Sequence, residues 1–185
     1  MKKEFLVLLG AFVAIAALAA VLMAFVGDAR RGMVPFDPTN ASYLVEGTVV
    51  TLVNGQAEVP AAPGSASTVR TWIFGLPAMG DLNGDGTRDA ALLLVQNAGG
   101  SGTFYYAAAA LATSAGAEGT NAILLGDRIA PQNISIASGT ILVNYADRNA
   151  GEPMTTQPSL GVSKYFTVVG GLLEAAPAPG TPSVK

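Results

Sequence analysis

The run Gly80-Asp81-Leu82-Asn83-Gly84-Asp85-Gly86-Thr87-Arg88-Asp89 sets oxygen-bearing side chains at alternate positions around two internal glycines. That is how a loop is built to wrap a calcium ion, a hard cation that wants six to eight oxygen ligands. With Asp81 as position one, Asn83 and Asp85 fall at three and five, and Thr87 offers its backbone carbonyl at seven. Asp89 lies at nine, and Gly86 holds position six, where the sharp turn needs a residue without a Cβ. Position twelve, the bidentate glutamate of an EF-hand, is Leu92, so the loop is not of that kind. The competing reading is a polar turn in which aspartate, asparagine and glycine serve only their backbone preferences. Three acids within nine residues repel one another when no cation is present, and that favours the metal loop.

Little else in the chain could do chemistry. It has no histidine and no cysteine, which removes the commonest general base, the thiol nucleophile and the soft metal sites. Gly99-Gly100-Ser101-Gly102 reads as a hairpin turn, because no lysine follows it to hold a phosphate. Asp127-Arg128 and Asp147-Arg148 end expected strands and read as solvated ion pairs. The rival is an envelope hydrolase or carbohydrate-binding module that uses the same ion with Asp127, Asp147 or Glu152. A third reading is a secreted inhibitor or assembly factor that binds another protein through a tyrosine-bearing sheet. No catalytic constellation is recognisable, so the chain is expected not to be an enzyme. The ion is expected to stabilise, because a catalytic ion needs an open position beside a base or nucleophile.

The acidic loop resembles the D-x-N-x-D-G-x-x-D sites of integrin-type FG-GAP repeats and of related bacterial surface domains. Ile73-Phe74-Gly75 shortly upstream adds to the likeness. The resemblance implies a calcium ion at a connection between extended segments. The motif occurs once and nothing repeats at a fixed period, so a propeller is not implied. A wider stretch, from Gly80 through Gly99-Gly100-Ser101-Gly102-Thr103-Phe104-Tyr105-Tyr106 to Gly126-Asp127-Arg128, resembles uncharacterised bacterial envelope proteins. Many of those would be lipid-anchored through a cysteine, and this chain has none.

The loop needs elements to hold it and a compartment that supplies calcium. From Phe5 to Val26 no charged side chain interrupts the sequence, and Lys2 and Lys3 precede it. As a helix those residues would extend ~33 Å, enough to span a bilayer. Residues 1-27 are therefore expected to form an N-terminal signal anchor or transmembrane helix, with the bulk of the chain outside the cytoplasm. The length favours a retained anchor over a cleaved signal peptide, which would leave the domain secreted. This segment also accounts for a composition that is 50% hydrophobic and only 12% charged. Without cysteine the exported part cannot rely on disulfides, which leaves packing and metal to stabilise it. From Asp37 to Glu174 eleven acids outnumber five bases (Arg70, Arg88, Arg128, Arg148 and Lys164), which argues against nucleic acid. The expected partners are the lipid bilayer, through the helix, and a protein or glycan at the cell envelope.

Residues 28-41, with Gly32, Pro35 and Pro38, read as a linker, and residues 175-185 as a disordered tail. Residues 42-174 should form a single domain that is mainly β and antiparallel, with α+β as the alternative. Tyr43 to Val53 reads as one strand ending at an Asn54-Gly55 turn, and Gln56 to Val59 as its return. Val69 to Phe74 follows, and after the acidic loop Ala90 to Val95 reads as a buried strand. Thr103 to Tyr106 is its partner, although Ala107 to Ala112 suits a helical turn equally well. Ala122 to Leu125, the pair Ile134-Ile136 and Ile141-Tyr145 around Ser138-Gly139, and Tyr165 to Leu173 complete the expected strands.

Overall fold

The computed structural model describes residues 34–180, so the expected N-terminal helix lies outside the described residues. Among the described residues no helix is long and apolar enough to cross a membrane. The fold is mainly β, with twelve strands in antiparallel ladders among the described residues. They are β1 (Ser42–Val45), β2 (Thr48–Thr51), β3 (Gln56–Pro60), β4 (Thr68–Gly80), β5 (Asp89–Asn97) and β6 (Phe104–Thr113). The remainder are β7 (Gly116–Gly119), β8 (Ile123–Asp127), β9 (Ala130–Ala137), β10 (Thr140–Asp147), β11 (Leu160–Val169) and β12 (Leu172–Ala176). No α-helix occurs among the described residues, which removes the α+β alternative.

The strands form three layers. The central sheet runs β3-β4-β5-β6-β7, with β8 also paired to β6. One face is covered by the β1-β2 hairpin, and the other by a four-stranded sheet in the order β12-β11-β10-β9. Strand β5 is the middle of the sandwich. Its residues Ala90, Leu92 and Leu94 join Tyr43, Val45, Val50 and Leu52 of the hairpin in one core. Ala91 and Leu93 point the other way and join Ile141, Val143, Tyr145, Phe166 and Leu173 in a second. Alternation is lost from the β5 sequence because neither face meets water.

Strand β6 gives the reason for its alanines. Ala107 and Ala109 serve one core, Ala108 and Ala110 the other, and all four are fully buried. Small side chains at these positions let the outer layers approach the sheet closely. Hence the segment is a strand and not the helical turn that its composition equally suggests. Propensity is a weak prior, and pairing of β6 with β5, β7 and β8 overrides it.

The segment Tyr43 to Val53 is two strands, not one. Glu46 and Gly47 both adopt positive φ (48° and 78°), the signature of a two-residue turn between β1 and β2. Glu46 is held there in part by the Tyr106 hydroxyl, which donates to its carboxylate at 3.1 Å. The Asn54-Gly55 turn forms as expected, with φ of 52° and 81°. Beyond the single Val53 to Gln56 bridge, however, β3 pairs with β4 and not with β2. Ser138-Gly139 joins β9 to β10 by the same kind of turn.

Strand β12 carries through Ala175 and Ala176, opposite Phe166 and Tyr165, two residues into the segment expected to be a tail. In the expected linker, Pro38–Asn40 make one 3-10 turn whose N-cap, Asp37, accepts from the Thr39 N–H at 2.9 Å. Gly119 of β7 lies so close to β1 that a Cβ there would run into the Ser42 carbonyl oxygen and the Tyr43 ring. That close approach welds the hairpin to the central sheet, and the hydrogen bonds Leu44 N–H to Thr120 O and Ala122 N–H to Leu44 O complete the weld.

Candidate functional site

The acidic loop is the connection between β4 and β5, whose ladder closes at the pair Gly80 and Asp89. Gly84 and Gly86 take φ of 79° and 80°, a conformation open to glycine and costly for other residues. Gly86 is thus a residue whose backbone conformation favours glycine. The backbone curls around the side chain of Asp81, whose Oδ1 accepts from Gly84 N–H at 2.7 Å and Oδ2 from Gly86 N–H at 3.0 Å. Asn83 Oδ1 accepts from Asp85 N–H at 3.0 Å, and Asn83 Nδ2 donates to Asp85 Oδ2 at 2.9 Å. Asp85 Oδ1 accepts from the Thr87 hydroxyl and, at 2.7 Å, from Thr87 N–H. The Thr87 hydroxyl foremost, then the Thr87 N–H and the Asn83 amide, hold the Asp85 carboxyl below the usual carboxylate range.

Asn83, Asp85 and Thr87 are thus tied directly to one another, while Asp81 is tied to the loop backbone. All four are more exposed than Asp89, which is wholly buried. Asp89 Oδ2 accepts from Leu82 N–H at 2.9 Å and Oδ1 from Ala112 N–H of β6 at 2.8 Å. Its carboxylate therefore staples the loop and the β6 end of the sheet to one point. Leu82 between them is buried against the second core, so the loop is anchored from inside by an apolar side chain. Leu92, the residue at position twelve, is fully buried in the core on the hairpin side. Among the described residues no three or more acids, histidines or cysteines are drawn into one metal-holding group. The donor set is nonetheless all oxygen, as calcium requires, and a carboxylate oxygen that accepts one N–H retains a second lone pair.

The acids weighed for catalysis are each occupied with chain connections. Burial pushes the Asp127 carboxyl up, but the hydrogen bonds from Arg128 and Thr103 N–H outweigh it and hold the group below its ordinary value. The Arg128 contact is 3.0 Å and the Thr103 contact 2.8 Å. Asp147 accepts from Arg148 N–H at 2.7 Å, and the Arg148 guanidinium donates to the Thr156 and Arg128 carbonyls at 2.6 and 2.9 Å. Glu152 caps its own turn by accepting from Asn149 N–H at 2.8 Å.

Two features escape a reading of the sequence. Asn121 accepts from Leu173 N–H at 2.8 Å and donates to Leu173 O at 3.1 Å, so one side-chain amide occupies both backbone groups of an edge residue. A shallow open groove of about 380 Å³ lies beside the Asn54-Gly55 turn, lined by Asn54, Gly55, Gln56, Arg70 and Trp72. The signal for both is non-local: each depends on a strand register that no short motif encodes.

No family model, no curated protein and no solved structure matches this chain.

Proposed function

We propose that the protein is a membrane-anchored, extracytoplasmic β domain in which one calcium ion, held at the Asp81 to Asp89 loop, clasps β4 to β5. Its role is structural or adhesive. The observation that carries the reading is the curl of the loop about the Asp81 carboxylate. Gly84 and Gly86 both donate to it, which holds an acidic side chain inside a loop that also carries Asn83, Asp85 and Thr87. Asp81, Asn83 and Asp85 would hold the ion with their side chains and Thr87 with its carbonyl. Asp89 would complete the set from the buried base of the loop. When bound, the ion would neutralise the acids and lock the connection; the chain's own residues orient the donors and keep the base of the loop dry.

Support for the compartment comes from the apolar run Phe5 to Val26 behind Lys2 and Lys3. Calcium abundant outside the cytoplasm would saturate a site of modest affinity, roughly 10⁻⁴ to 10⁻³ M. Calorimetric titration of the full chain with calcium tests the reading. Binding in that range with one ion per chain is the expected result, and absence of heat at several millimolar calcium would overturn it.

A further inference from the structure

We infer that the groove at Trp72 is a binding site for a neutral, β-1,4-linked hexopyranose chain. This gives the adhesive role a ligand, yet the groove does not depend on calcium. Trp72 pairs with Val95 near the far end of β5 from the loop, six residues beyond Asp89. At 3.3 to 3.4 Å per residue the two sites are ~20 Å apart along the strand.

Trp72 is the single tryptophan of the chain, and it is only half-buried. Its neighbour Ile73 packs into the core on the hairpin side, as does Ala57 opposite Thr71. By alternation along the strands, Trp72 and its cross-strand partner Gln56 face the other way. The groove there stays open beside the Asn54-Gly55 turn. Phe74, two residues further along the same face, is 40% exposed and meets Tyr105 edge-on at 5.9 Å, extending the aromatic strip.

Polar groups rim this platform. Among the described residues the side-chain amides of Asn54 and Gln56 make no hydrogen bond to the protein, which leaves donors and acceptors of both kinds facing solvent. Arg70 lies 3.7 Å from Glu58, so the one cation of the groove is offset by an anion and the site carries no net charge. An aromatic face beside free amides and a balanced ion pair suits a ligand with a flat C–H face and a rim of hydroxyls. Equatorially substituted pyranoses have that shape. They stack their C–H bonds on the indole while vicinal hydroxyls exchange hydrogen bonds with Gln56, Asn54 and Arg70. The groove is open to solvent, which leaves room for a chain longer than the groove itself.

Trp72 supplies its own probe. The full chain in lipid nanodiscs, free of glycoside detergents, is titrated with cellohexaose and with chitotetraose while tryptophan fluorescence is followed. A saturable change with a midpoint of about 10⁻⁴ to 10⁻³ M for at least one of them is expected for a shallow site. The glucose and N-acetylglucosamine oligomers separate the two sources of this chemistry. Calorimetry on variants then locates the site. Trp72→Ala should weaken binding at least ~tenfold, with Trp72→Phe in between, and Gln56→Ala should weaken it a few-fold. Asp85→Asn should leave sugar affinity unchanged, which separates failure of this site from failure of the calcium loop. No saturable change with either sugar at ~10 mM, or binding that survives Trp72→Ala in a chain with unaltered circular dichroism, overturns the assignment.

Discussion

Asp85 and Asp89 belong to one motif and do different work, and substitutions separate them. Asp85 is exposed and bonds only to its loop neighbours, so its effect on stability should run through the ion. At calcium tenfold above the dissociation constant, linkage contributes about 1.4 kcal/mol, or ~3–6 °C in Tm for a chain of this size. Adding a chelator to the wild type should remove that increment. In Asp85→Ala the two melting curves should coincide, and a chelator response of unchanged size would sink the clasp. Asp89 is buried and holds two backbone N–H groups. Asp89→Leu leaves both unsatisfied and should cost ~2–5 kcal/mol in urea unfolding even without calcium. The spacing of the motif is legible in the sequence, and so is the glycine at position six. The inward turn of Asp89 is not, because its second donor, Ala112, comes from a strand 23 residues away.

At the scale of elements, the local turns are what the sequence makes visible. Asn54-Gly55 and Ser138-Gly139 carry their geometry in two residues, and both form. Glu46-Gly47 adopts the same geometry with a residue that rarely accepts positive φ, and so the sequence reads through it as continuous strand. The doubly buried β5 is recognisable from its unbroken apolar run, but which layers cover it is not. Two contacts make the layering testable. Gly119→Ala would drive a Cβ into the Ser42 carbonyl oxygen, a backbone group that cannot swing aside, and should destabilise by more than ~2 kcal/mol in denaturant unfolding. Asn121→Ala frees both backbone groups of Leu173. A loss of ~1–2 kcal/mol is expected, with faster amide exchange at Leu173 than at Phe166.

The whole molecule is acidic, and hydrogen bonds to particular carboxylates set its response to pH. Asp37 lies below the ordinary carboxylate range because Thr39 and Asn40 donate to it; Asp127 does so because Arg128 and Thr103 outweigh its burial. A depressed carboxyl stabilises the fold fully above the unfolded value, about 3.9, and the contribution is lost as pH falls through the folded value. Tm should therefore be flat near neutrality and decline below about pH 4, with a shallower decline in Asp127→Asn. An equal decline in that variant would show that Asp127 contributes nothing to acid sensitivity. The layer order also has a consequence for how the chain matures. The hairpin that covers one face of the central sheet is made first, so that face can close as soon as β5 and β6 arrive. The opposite face waits for Phe166 and Leu173, among the last strand residues to be synthesised. A half-made chain therefore presents Ala91, Leu93 and Ala107 to whatever surrounds it. Its vulnerability to aggregation lasts until β11 and β12 have been made.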